Sequence, residues 1–250
     1  MIYLITGSDK NYYPKILPYL NTLNEYSDFR NILLAIGFKP PENCPIDWIT
    51  IPEEVFTNIT TNLCVQAGEF LPYCKDFLNG EDIIIFTDGD IRLQRKFNIS
   101  ELSMINNLKY GDVLVGPNAT HINNTLLNES QGLRRYCTDE YLKQTFRYAG
   151  VNPSSRTLNI GVIVCTSDTY KKIYEKTYDI YKAYPNVTHH MARQQWYINL
   201  AIYSFAKVTL LPFTFHSHPH NGDQPGMRFD LDGTMYIGQE KVLFRHRYYV

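Results

Sequence analysis

The chain has 250 residues, of which 44% are apolar and 20% charged, and its formal net charge is −1. That length suits one large α/β domain and is cramped for two, and the composition excludes a disordered chain. Near-neutral charge supplies no basic field for a polyphosphate, so no nucleic-acid partner is expected and any anion must be met by local groups.

The opening segment Met1-Ile2-Tyr3-Leu4-Ile5-Thr6-Gly7 has no basic flank and turns polar too soon for a signal peptide. Through Thr6 it predicts a buried strand, with Gly7-Ser8-Asp9 as the turn into a helix started by Pro14 that carries Ile16, Leu17, Leu20 and Leu23 on one face. Residues 31–38 and 46–51 predict further strands, and 68–77 a helix. Residues 82–87 (DIIIFT) give the strongest strand signal, apolar on both faces as at the centre of a parallel or mixed sheet covered by helices. A short strand follows at 113–116, then a polar loop at 118–132 and a strand at 159–165 (NIGVIVC). Ser167-Asp168 caps a helix running to about residue 184, and 192–205 predict another helix, 208–213 a strand and 235–237 a last strand.

No run is long enough for a membrane helix, so the expectation is a soluble, cytoplasmic protein. Five cysteines (Cys44, Cys64, Cys74, Cys137 and Cys165) without CxxC spacing read as free thiols, with no disulfide and no zinc site. The sequons at Asn58, Asn118 and Asn186 are silent without a signal peptide. Twenty Tyr and thirteen Phe serve core and surface packing, with stacking on a sugar or base as the functional alternative.

Asp88-Gly89-Asp90 follows directly on the 82–87 strand, at the carboxyl end where open α/β sheets bind ligands. Two carboxylates one residue apart suit Mg²⁺ or Mn²⁺ sharing its shell with phosphate oxygens, and Gly89 lets the backbone approach. The tripeptide alone is also ordinary turn chemistry; the apolar strand before it favours the metal reading.

IIIFTDGD followed later by LNIGVIV resembles the DxD-containing GT-A glycosyltransferases, over most of the order of elements. The resemblance implies one α/β domain over 1–250 of GT-A type, with a central mixed, mostly parallel sheet flanked by helices. Residues to about 117 would hold the nucleotide, and 118–250 the sugar and acceptor. It implies that Thr6, Gly7, Ser8 and Asp9 lie near the base and ribose, with Tyr12 or Tyr13 stacking there. Asn159-Ile160-Gly161 is similar to the N-x-G of galactosyl/xylosyltransferase-like members, in the strand lining the sugar pocket. Arg193-Gln194-Gln195-Trp196 resembles their helix start near the reacting carbon; the acidic residue is absent here, leaving Gln195, with Gln194 and Asn159, as polar contacts to the donor sugar. A late histidine would complete the metal shell: His216 or His218 first, His246 close behind.

Arg245 and Arg247 share a face of a strand and suit diphosphate oxygens, as do Arg92 and Arg95. The implied activity is transfer of a sugar from a nucleoside-diphosphate sugar, UDP preferred, to a glycan or glycoprotein hydroxyl. Asp168, Asp223 and Asp230 are the second-half acids available as a base, none at a convincing position, which leans the reading towards retention. The compact length resembles the small stand-alone glycosyltransferases of chloroviruses, which would put the protein in a host cytoplasm. Phe229-Asp230-Leu231-Asp232-Gly233-Thr234 matches the nucleophile signature of haloacid-dehalogenase-like phosphatases, but too little chain follows it to build their site. A nucleotidyltransferase would need a glycine-rich basic loop after the first strand, where only Gly7-Ser8-Asp9-Lys10 stands. A catalytically silent sugar-nucleotide binding module remains as an alternative that turnover distinguishes.

Overall fold

A computed structural model of the chain describes residues 1–54, 68–117, 124–133, 137–185, 190–218 and 226–246. The first strands in chain order are β1 (Ile2–Asp9), β2 (Arg30–Ile36), β3 (Asp47–Ile51), β4 (Ile83–Thr87), β5 (Ile91–Leu93), β6 (Asp112–Pro117), β7 (Leu158–Thr166) and β8 (Lys207–Leu210). All but β5 join one seven-stranded sheet in the order β3-β2-β1-β4-β7-β6-β8. Its strands pair in parallel except β7, which runs antiparallel to both β4 and β6. The expected mixed, mostly parallel sheet is therefore what the chain builds.

Alternation along the central strands explains why both faces are covered. Tyr3, Ile5, Ile84 and Phe86 enter one core with Trp196 and Tyr170, whereas Leu4, Ile83 and Ile85 enter a second with Ile16, Tyr19, Leu20 and Leu23 of the helix Tyr13–Tyr26. Each such fully buried side chain is worth about 1.5–3 kcal/mol relative to exposure. Leu17, expected on the buried face of that helix, is 37% exposed; the buried face runs through Ile16, Tyr19, Leu20 and Leu23, with the Tyr19 hydroxyl 2.7 Å from Thr87 Oγ1.

Several boundaries differ from the sequence expectation. β1 continues through Gly7-Ser8-Asp9, because β2 offers partners as far as Ile36, and the turn follows at residues 10–12. The helix expected over 68–77 is confined to Leu71–Cys74. The expected loop contains the helix Leu126–Leu133. The helix Ser167–Ala183 is capped by Thr166, whose side chain accepts from Thr169 N, not by Ser167-Asp168.

The remaining strands, β9 (His216–Ser217), β10 (Met227–Phe229), β11 (Met235–Ile237), β12 (Glu240–Lys241) and β13 (Phe244–His246), form two small sheets, β5-β13-β9 and β10-β11-β12. Buried Gln94, just past β5, joins them: it accepts from Met235 N at 2.9 Å and donates to Val242 O at 2.9 Å and Met235 O at 3.3 Å. The last part of the chain is thus fastened to the segment that leaves Asp88-Gly89-Asp90.

Candidate metal centre

Asp88 and Asp90 flank the step from β4 to β5, and β5 pairs antiparallel with β13 so that His246 stands opposite Ile91. This pairing brings His246 Nε2 to 3.2 Å from Asp90 Oδ1 and 3.6 Å from Asp88 Oδ2. One ligand atom from each of the three lies within 4.8 Å of the others, a set of two carboxylate oxygens and one imidazole nitrogen. Neither His216 nor His218 belongs to that group; of the three candidate histidines, His246 is the one that faces the acids. His216 instead meets the other ring nitrogen, its Nε2 lying 3.3 Å from His246 Nδ1, and His218 packs edge-on against the His246 ring.

Burial pushes the Asp88 carboxyl up to about 7, with the charge of Asp90 adding to the rise and His246 opposing it. Burial also holds His216 well below the usual imidazole range, reinforced by His246 and His218. A carboxyl held this high is short of positive charge, the condition a divalent cation relieves.

Glycines make the room. A Cβ on Gly161 would lie 2.4 Å from His246 Cε1, and one on Gly116 would lie 2.5 Å from His216 Nδ1. The N-x-G motif therefore serves the histidine ring as well as the strand. Asn159, buried, accepts from Gly161 N at 2.9 Å, and Gly161 O accepts from Asp88 N at 2.9 Å, within a register break where β6 crosses from Val115 to Gly116. At Gly89 a Cβ would stand 3.0 Å from Gly7 O and 3.3 Å from Tyr12 Cε1, which sets the DGD backbone against the end of β1.

The other sequence candidates fall in three groups. Beside the acids is Tyr12, whose hydroxyl is raised by burial and then by the charges of Asp90 and Asp88. Thr6 pairs in register with Thr87, and its buried Oγ1 has no hydrogen-bond partner among the described residues. Ser8 Oγ donates to Asp9 O, and exposed Asp9 accepts from Tyr12 N at 2.7 Å, which closes the turn. Tyr13 turns away to pack on Phe38.

Gln195 lies in the helix His190–Phe205, and the side chains of Arg193 and Gln194 lie outside the described residues, as do Asp223 and Arg247. Sequence reasoning passed over Asn199 one turn later. It is fully buried, accepts from Leu158 N at 2.7 Å and donates to Gln195 O at 2.8 Å, locking this helix to the strand that carries Asn159. A lone amide on an apolar helix face was the available signal.

A third group is elsewhere. Arg245, next to His246 on β13, points the opposite way: its guanidinium donates to Gly233 O and lies over the Phe229 ring. Arg95 is held by Glu101 at 2.6 Å and by Lys241 O at 2.7 Å. Asp168 sits beside Gly80 near the start of β4, the opposite end of the strand from Asp88, and Asp230 pairs with Arg228 on an exposed turn. The Asp230–Thr234 segment is that turn, closed by Gly233 N on Asp230 O.

No family model and no curated protein sequence matches the chain. Solved structures do. The galactosyltransferase LgtC, in complex with donor and acceptor sugar analogues, superposes with a TM-score of 0.61 at 14% identity, over 98% of this chain and 87% of that one. A glutamate-for-glutamine active-site mutant of LgtC gives 0.60 at 13% identity over the same shares. The apo structure of the bifunctional glycosyltransferase WbbM gives 0.55 at 13% identity, over 87% of this chain and 40% of that one. The fold is the GT-A fold of these glycosyltransferases.

Proposed function

We propose that the chain is a metal-dependent glycosyltransferase that moves a sugar from a nucleoside-diphosphate sugar, UDP preferred, to a hydroxyl of a glycan or glycoprotein. The observation that carries this reading is the convergence of Asp88, Asp90 and His246 at the carboxyl end of the central strands. Their donor set fits Mn²⁺ or Mg²⁺ with positions left for diphosphate oxygens and water. When bound, the cation neutralises charge on the departing diphosphate. The similar structures support the reading, since LgtC is a galactosyltransferase solved with donor and acceptor analogues.

In this reading Thr6, Gly7, Ser8 and Asp9 receive the base and ribose, with Tyr12 closing over them beside the acids. Gln195, Gln194 and Asn159 orient the donor sugar. Arg245 braces the turn at Gly233, so the diphosphate is left chiefly to the metal centre. Residues 1–117 serve the nucleotide and 118–250 the sugar and acceptor, with His246 reaching back from the second part to complete the metal set. A cytoplasmic location belongs to the same reading; no helix among the described residues is long and apolar enough to cross a membrane.

Transfer is read as retaining. Asp168 stands at the wrong end of the strands and Asp230 on an exposed turn, whereas a glutamine belongs to the active site of LgtC, and Gln195 takes that part in this reading. Calorimetric titration with UDP and GDP, each with and without Mn²⁺, tests the main reading: UDP binding that requires Mn²⁺ is expected, and no diphosphate binding under any metal condition would refute it. With a defined donor anomer, a product of inverted configuration would remove the retaining part alone.

A further inference from the structure

We propose that His216 is a positioning residue for His246, accepting a hydrogen bond from His246 Nδ1–H so that the lone pair of His246 Nε2 is held towards Asp88 and Asp90. This rests on the metal-site reading above and adds to it a residue outside the set of Asp88, Asp90 and His246. A neutral imidazole carries one proton, so a ring that ligates through Nε2 must carry it on Nδ1 and needs an acceptor there.

The geometry supplies one. His216 Nε2 lies 3.3 Å from His246 Nδ1, while His246 Nε2 lies 3.2 Å from Asp90 Oδ1. The two rings are 28° from parallel with centroids 5.4 Å apart. His216 is itself fixed: it is 3% exposed, and β9 pairs with β13 so that His216 registers with Phe244, two residues before His246.

Two glycines on neighbouring strands make the arrangement specific. His216 fills the space a side chain on Gly116 would need, and His246 fills that of Gly161. A rigid ring cannot swing aside from such a clash as a flexible chain end can, so both rings are set against main chain, and their mutual orientation is decided by β6 and β7. His216 thereby accounts for Gly116, which no sequence motif singled out.

The test is calorimetric titration of the full chain with Mn²⁺ alone, for the wild type, H216Q, H216N, H216L and D90N. Glutamine reaches about as far as Nε2 and can present an amide oxygen to His246; asparagine is too short, and leucine fills volume without an acceptor. H216Q is expected to bind Mn²⁺ nearly as the wild type does, whereas H216N and H216L lose about ten- to a hundredfold, the usual scale for an outer-sphere partner of a ligating histidine. D90N should lose binding altogether. Melting temperatures of the metal-free variants check folding, and H216Q against H216N keeps the test open if H216L fails to fold. Equal affinity of H216Q and H216N overturns the proposal while leaving the metal site standing, provided D90N is impaired. A wild type that binds no Mn²⁺ overturns both.

Discussion

Strand β4 has an aspartate at each end, and the two meet opposite fates. Asp82, preceding the strand, is buried but supplied: its carboxylate takes the N-terminal ammonium at 2.7 Å and Asn79 N at 2.8 Å. Burial works to raise its pKa, and these hydrogen bonds together overcome that and lower it. Asp88, following the strand, is raised to about 7 by burial and by Asp90, with His246 only partly compensating. The contrast separates a carboxylate balanced by its own hydrogen bonds from one left without that balance, which the proposed metal centre would use.

Matched substitutions can break that comparison. The largest expected effect is at the carboxyl end: Asp88→Asn or Asp90→Asn should lower kcat/KM for sugar transfer by about a hundredfold or more, the scale of losing a preorganised electrostatic contact, even with Mn²⁺ in large excess. Full activity of Asp90→Asn would remove the metal assignment. Gly161→Ala should follow, because its methyl would displace the His246 ring; a loss of Mn²⁺ affinity of about tenfold or more is expected by calorimetry, with the acids intact. At the other end Asp82→Asn should cost about 1–3 kcal/mol of stability by urea unfolding and leave Mn²⁺-dependent UDP binding unchanged.

The smallest effect sharpens the comparison through pH. With Asp88 above its unfolded value, the metal-free fold binds the extra proton and loses stability as pH rises from about 4 to about 7. Asp82 acts in the opposite sense: its contribution is present above the ordinary carboxylate range and is lost as pH falls through its lowered pKa. Cation binding needs Asp88 ionised, so Mn²⁺ affinity should rise with pH up to about 7 and level off above it. Calorimetry at pH 6 in buffers of different ionisation enthalpy should show proton release on binding. A flat profile would mean Asp88 is already ionised without metal.

Much of the fold was legible because the signals were local. IIIF within DIIIFT and IGVIVC within NIGVIVC are apolar runs, and the helix before Phe205 shows its buried positions in its spacing. Boundaries were less legible where a neighbour decided them: Gly7-Ser8-Asp9 has turn chemistry, yet β2 supplies partners and keeps it extended. Asp88 and Asp90 could be read because strand end and ligand type coincide in eight consecutive residues. The choice among His216, His218 and His246 could not. All three are late histidines near apolar residues, and only the pairing of β13 with β5 distinguishes them.

The sequence by itself determined a mixed α/β sheet with two carboxylates at the end of its central strand, because periodicity and adjacency are properties of short segments. Tertiary structure decided which histidine joins them and which way Arg245 turns. It also decided why Gly116 and Gly161 must lack side chains. Those depend on the register between strands that are not adjacent along the chain, β13 with β5 foremost, and no local propensity encodes such a register.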